Sequence, residues 1–319
     1  MDIIILSVDN ITKTIIRSLN WPGNGETSFS SKPTPYRICE DYYLSPSSVY
    51  PKWNELFGNG HMKKVIFLPS EKVVGRFSVM IKGAGREDAR NISSLGQNAY
   101  FLESVHFGHV YSSRGMFSNA VKGGDAVSVE LIAPSYEVAI RQAKLLVSNL
   151  GIQRRVIGIK KENPEVQKIK MKYERILPVV AYSDLLSLSV TGVAGWLHLS
   201  RKVVKRELDR LVSERMFYSY PTLNQAAFKD LSLYMLVVPL DLSVQGSETR
   251  KRIMSSLTVS DRYLLYREDG GFMMILLYYE CIGEVDSLIG EISELVGDFI
   301  VLTRFETYFN DNVTFSRYA

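Results

Sequence analysis

The residue types that could carry chemistry are few. The chain has four histidines, His61, His106, His109 and His198, and two cysteines, Cys39 and Cys281. His106 and His109 stand three apart, a spacing that would face one metal on a helix. Their run, LESVHFGHVY, reads as a strand, where odd spacing sends them to opposite faces. Neither cysteine has a metal-type partner nearby, so no zinc site or disulfide framework is expected, and both read as small buried hydrophobes. Gly83-Ala84-Gly85 lacks the lysine and serine that complete a phosphate loop. No serine–histidine–acid set and no paired carboxylates stand out. The sequence thus predicts no catalytic residue, no metal and no cofactor: the chain reads as not an enzyme.

What remains is charge on a helix. The stretch Leu199 to Met216, LSRKVVKRELDRLVSERM, has an N-cap candidate in Ser200 followed by a strongly helix-forming run. Val203, Val204, Leu208, Leu211 and Val212 fall on one face at helical spacing. Arg201, Lys202, Lys205, Arg206 and Arg210 fall largely on the other, able to meet phosphates and base edges in a major groove. A solvated basic face on an ordinary amphipathic helix is the plainer reading. The neighbouring stretches favour the first one. Upstream lie two short apolar segments, AYSDLLSLS and TGVAGWLHL. Downstream, MFYSYPTLN suits a wing strand, completing the order of a winged helix-turn-helix.

Composition sets the frame for these elements. The 319 residues, 46% hydrophobic and 23% charged with net charge +4, suit an ordered globular chain of two or more domains that tolerates nucleic acid. The start, MDIIILSVDN, lacks the basic region of a signal peptide, and no apolar run reaches membrane-spanning length. A cytoplasmic protein without membrane contact is expected. Tyr218, Tyr220, Tyr278 and Tyr279 read as amphipathic sheet or interface residues. The aromatic signature of an RNA-binding sheet is absent.

The chain repeats itself. LSPSSVYPKWNELFGNGHMKKVIFLP, from Leu44, aligns with LSRKVVKRELDRLVSERMFYSYPTLN, from Leu199, at an offset of 155, and FSVMIKG then lies against SLYMLVV. Further on, GGDAVSVELIA from Gly123 aligns with GGFMMILLYYE from Gly270 at an offset of 147. Each copy reads as a winged helix-turn-helix followed by strand, helix, strand, strand, helix, strand, a ferredoxin-like sandwich. The fold class is therefore α+β with two tandem units. The expected boundaries are 1–70 for the first winged helix-turn-helix and 71–161 for the first ferredoxin-like domain. A linker with the second winged helix-turn-helix follows over 162–225, and the second ferredoxin-like domain over 226–319. In the charged linker, Lys160 to Arg175, the second part reads as helical.

This series resembles the Lrp/AsnC family of leucine-responsive regulators. DNITKTIIRSL, from Asp9, resembles that family's first helix. The stretch from Leu44 to Gly75 resembles its recognition helix, wing and hinge strand, and GGDAVSVELIA resembles the Gly-acidic turn of its ligand-sensing domain. The resemblance implies a transcriptional regulator that binds double-stranded DNA, with sandwiches that pair and sense a small effector such as an amino acid. Gly123, Gly124 and Asp125 would serve that effector, although copy two has Phe272 where copy one has the acid, and a plain turn is the commoner meaning of Gly-Gly-Asp. The family has one unit per chain. Two in one chain imply a fused dimer about an internal pseudo-twofold, or units that pair with another chain in a homo-oligomer.

The copies are unequal. Ser47, Ser48, Tyr50 and Lys52 are what copy one offers to DNA, with Lys63 and Lys64 in its wing. Pro46 suits a first helical turn, whereas Pro51 should shorten or kink the helix, at a cost of about 3 kcal/mol. The insertion Asn20 to Pro35 lengthens its turn region. Copy two should therefore dominate DNA affinity. Two other readings stay open. One is an interaction module that no longer binds DNA. The other is an enzyme like the sirohaem decarboxylases, relatives of the family that act on tetrapyrroles. That enzyme needs histidine and arginine clusters in the sandwich cleft, and none is visible in the sequence.

Overall fold

Asp9 caps the first helix, α1 (Asn10–Ser18), its carboxylate accepting from the Thr12 amide at 2.8 Å. A 3-10 turn at Phe29–Ser31, α2 (Pro35–Asp41) and α3 (Pro46–Gly58) complete the first helical unit. The structure, a computed structural model, describes residues 8–22, 27–70, 73–81, 84–96, 102–115, 117–118, 124–149, 156–158, 175–224, 232–239, 244–261, 263–269, 272–279 and 282–309. Gly123, Cys281 and almost all of the charged linker lie outside them. Pro46 takes the first helical turn, as its fixed φ suggests, but α3 runs through Pro51 to Gly58. The carbonyl that Pro51 leaves without an N–H belongs to Ser47, which is exposed, so water can satisfy it. Cys39, expected to be buried, is only half-buried on α2.

The second helical unit has α6 (Leu177–Val180), α7 (Val190–Leu197) and α8 (Arg201–Ser213). Ser189 and Ser200 cap the latter two, accepting from Gly192 and Val203 amides. The strand after each third helix does not form a wing hairpin of its own. Instead β1 (Met62–Pro69) pairs antiparallel with β6 (Phe217–Leu223), one strand from each unit. Among the described residues neither unit supplies a second wing strand, and the backbone groups of each are met by the other copy. Phe67 and Phe217 stack across this seam with ring centroids 4.6 Å apart. The two helical units share one core, in which Ile15, Leu56, Val204 and Leu208 are fully buried.

The sandwich elements follow the predicted order twice. Copy one has β2 (Arg76–Ile81), α4 (Arg86–Gly96), β3 (Leu102–Arg114), β4 (Gly124–Ile132), α5 (Tyr136–Asn149) and β5 (Val156–Gly158). Copy two has β7 (Ser232–Pro239), α9 (Val244–Ser260), β8 (Tyr263–Asp269), β9 (Phe272–Tyr279), α10 (Ile282–Leu295) and β10 (Phe299–Phe309). All eight strands form one sheet, ordered β5-β2-β4-β3-β10-β7-β9-β8, and β3 and β10 join the halves edge to edge. Odd-numbered residues of β2 and β4, such as Val79, Val127 and Val129, pack on Ala139 and Ala143 of α5. In copy two, Leu236, Ile275 and Leu277 pack on Ile253 of α9 and Leu288 of α10. The opposite faces meet: Met80 and Ala126 of copy one cluster with Phe272 and Ile300 of copy two. The chain is thus an internal pseudo-dimer whose one open sheet packs the inner faces of its two halves against each other.

Strand pairing corrects the second repeat offset. Met80 pairs with Ser128, and its counterpart Met235 pairs with Leu276, an offset of 276 − 128 = 148. The offset of 147 read from the glycines turns every side chain to the wrong face. Ser128 therefore corresponds to Leu276 and Glu130 to Tyr278.

Two polar ties fix the helical units to the sheet. Arg76, fully buried, pairs with buried Glu103 through Nε and through Nη2 at 2.7 Å, and Nη2 also donates to the Pro69 carbonyl at 2.9 Å. The Tyr182 hydroxyl donates to the same Glu103 carboxylate at 2.8 Å. Burial, and next the Glu103 charge, push that phenol well above the ordinary tyrosine range, so it stays a neutral donor. On the other side Asp261, in the α9–β8 turn, takes Lys13 and Arg17 of α1. Burial pushes the Asp261 carboxyl up, but the hydrogen bonds from Lys13 and Arg17 outweigh it and hold it below its usual value. A depressed folded-state value gives stability present above the unfolded value of about 3.9 and lost as pH falls through the folded one. Asp261→Asn should therefore flatten the fall in melting temperature below about pH 4; an unchanged acid limb would show that this tie contributes nothing.

Candidate functional site: a cavity between the sheet halves and the paired strands

A cavity of about 620 Å³ opens where the inner faces of the sheet meet β1 and β6. That volume lies in the range of ligand sites, roughly 300–1,000 Å³. Its walls differ in chemistry. Copy one contributes polar Ser78, His106, Ser128 and Glu130 beside apolar Met80 and Phe117, whereas β7 and β9 of copy two contribute apolar Met235, Val237, Met274 and Leu276. The register explains this, because polar Ser128 and Glu130 correspond to Leu276 and Tyr278. Glu130 is only 5% exposed and accepts from the Ser78 hydroxyl at 2.5 Å.

A bulge in β10 sets much of the site. Thr303 pairs with His109 and Glu306 with Phe107, so Arg304 and Phe305 both stand opposite Gly108. Gly108 has no room for a side chain there, since a Cβ would lie 2.9 Å from Leu302 Cβ. Arg304 takes a left-handed backbone with φ of 51°. One extra residue flips every later side chain to the other face. Before the bulge, Phe299 and Val301 face the helices. After it, Thr307 faces inward, where its hydroxyl lies 3.1 Å from His106 Nδ1, while Ser104 Oγ lies 2.9 Å from His106 Nε2. Both ring nitrogens are thereby held by hydroxyls, one of which lines the cavity.

The same flip sends Glu306 and Tyr308 to α4. Glu306 pairs with Arg86 and, at 3.9 Å, with Arg90, whose Nε donates to the Tyr308 hydroxyl at 3.3 Å. Burial pushes the Glu306 carboxyl up, but hydrogen bonds from Tyr308 and Arg86 outweigh it and keep it below its usual value. Arg86 and Arg90 line the cavity with Lys63 of β1 and Arg304. One histidine, His106, and three arginines, Arg86, Arg90 and Arg304, thus line one cavity together with Lys63. These residues come from β1, α4, β3 and β10, and only pairing between the copies assembles them.

The residues expected to bind DNA lie elsewhere. Arg201, Lys202, Lys205 and Arg206 are exposed on α8 behind their cap, Ser200. Lys205 pairs with Asp209 at 2.7 Å, Arg206 with Glu207 at 3.2 Å, and Arg210 with Glu207 and Glu214. Asp209 also receives the Ser28 hydroxyl and the Phe29 amide, so the copy-one insertion packs against α8. In copy one, Ser47 and Ser48 hydrogen-bond to Ser45, Tyr50 is exposed, and Lys52 bridges Asp9 and Glu55. Lys63, read as a wing residue, lines the cavity instead, because β1 pairs with β6. Gly124 starts β4 with φ of 85°, and Asp125 lies 3.0 Å from His109 on the face away from the cavity. His106 and His109 do face opposite sides, as their spacing in a strand requires.

No family model matches the chain, and no curated protein matches it in sequence. Among solved structures it is similar to the siroheme decarboxylase NirDL in complex with an iron-uroporphyrin III analogue, at 8% identity over 94% of this chain and 92% of that one, with a TM-score of 0.48. NirDL alone gives 9% identity, coverages of 95% and 96%, and a TM-score of 0.49. PH0061 is similar over 43% of this chain and 93% of its own, at 14% identity and a TM-score of 0.26. These are likenesses of element order and assign no residue. Against the expectation that the chain is not an enzyme, the solved structures similar over most of its length are those of an enzyme. No described helix is long and apolar enough to cross a membrane.

Proposed function

We propose that the chain is an enzyme that binds a carboxylated tetrapyrrole in this cavity and releases carbon dioxide from it. The observation that carries the reading is the cavity itself, with an apolar wall from β7 and β9, a wall from copy one that carries the polar groups, and exposed cations along its lining. A flat macrocycle buries its faces against Met235, Met274 and Leu276, and its peripheral carboxylates need the arginines and lysine. In the reaction the bond from ring substituent to carboxylate breaks and carbon dioxide leaves. The electron pair stays on carbon and takes a proton. His106, acting through the Thr307 hydroxyl, is the group placed to supply it. Titration of the purified protein with uroporphyrin III, followed by visible absorbance, should give a saturable band shift, and the methyl ester should bind far more weakly. An equal response to acid and ester, or none, would sink the reading.

A second reading keeps DNA binding by α8, favoured by one observation. Arg201 and Lys202 are exposed and have no acidic partner among the described residues. Because the other cations of α8 are paired within the helix, the log–log salt dependence of duplex binding should have a slope of about −2, near −0.9 per phosphate. No binding at low salt would remove this reading.

A further inference from the structure

We infer that Arg304 is the residue that selects the ligand's carboxylate, placed by the β10 bulge, and that Lys63 assists it from β1. This rests on the cavity being the site of a carboxylated macrocycle. Among the described residues four fixed cations line the cavity, Lys63, Arg86, Arg90 and Arg304. Two of them are already engaged: Glu306 sits against Arg86 and Arg90, and its ionised form is the favoured one. Lys63 and Arg304 have no hydrogen-bond or ion-pair partner among the described residues, so the uncompensated positive charge of the lining is theirs. The backbone supplies an independent argument. A left-handed φ suits glycine or asparagine and disfavours arginine. If the bulge served only to flip Thr307 toward His106, glycine would hold that position with less strain. Arginine holds it instead, and its side chain lines the cavity as a planar fork able to grip a carboxylate with two parallel hydrogen bonds.

Arg304→Gly provides the test, because it keeps the backbone conformation and removes the fork. Arg304→Asn, which also tolerates this φ, is the companion variant. Each is titrated with uroporphyrin III and with its methyl ester, and each is checked by thermal melting. The expected result is a melting temperature equal to or above that of the unaltered protein. Uroporphyrin III binding should weaken about tenfold to a hundredfold, the loss of a charge-assisted pair, with ester binding unchanged. Lys63→Gln should show a smaller loss of the same selectivity. If the unaltered protein binds uroporphyrin III saturably and both Arg304 variants bind it equally tightly, the inference falls and the cavity reading stands. If the unaltered protein itself does not distinguish acid from ester, both fall.

Discussion

Arg76→Met should cost about 3–5 kcal/mol of unfolding free energy, the largest stability effect expected from one substitution in this chain. The arginine is fully buried, and its removal leaves the Glu103 carboxylate in the interior with only the Tyr182 hydroxyl as a described partner outside its own strand. It also leaves the Pro69 carbonyl without the Arg76 donor, at the junction of β1 with the sheet. Desolvation makes the broken pair costlier than its absence, so a double variant, Arg76→Met with Glu103→Leu, should be more stable than Arg76→Met alone. Urea unfolding followed by far-ultraviolet circular dichroism measures both. A loss below about 1 kcal/mol for the single variant, as for an exposed ion pair, would mean that water reaches this network.

His106→Ala should have the largest effect on activity. If the imidazole and the Thr307 hydroxyl deliver the proton that replaces carbon dioxide, turnover should fall about a hundred- to ten-thousand-fold, while tetrapyrrole affinity changes little. Thr307→Val, which keeps the histidine and removes the hydroxyl on the cavity side, should give a smaller loss in the same direction. Binding and turnover falling together in His106→Ala would assign the histidine to holding the ligand.

Much of the fold is legible in the sequence because its local signals agree with one another. Alternation in DAVSVEL marks β4, the unbroken apolar run FMMILLYY marks β9, and Ser200 before a basic run marks the start of α8. The internal repeat then supplies the two-unit order. The second repeat offset failed by one residue because two glycines make a weak anchor, and in a strand one residue is a whole face. The wing strands were legible as strands, but a lone strand does not say whose edge it pairs with. The site was illegible for the same reason. Lys63, Arg86, His106 and Arg304 are separated by up to 241 residues, 304 − 63, and share no spacing. Arg304 and Phe305 reveal their bulge only opposite Gly108 on the other copy's strand. The residues that drew attention first, on α8, form a contiguous basic face, but Asp209, Glu207 and Glu214 compensate much of it within the helix.

The most direct test of the central claim is a crystal structure of the protein soaked with uroporphyrin III. The account predicts the macrocycle inside the cavity, its faces against Met235, Met274 and Leu276 and its carboxylates on Lys63 and Arg304, with His106 and Thr307 at its edge. A macrocycle bound outside the cavity, or a cavity still empty at saturating ligand, would contradict it.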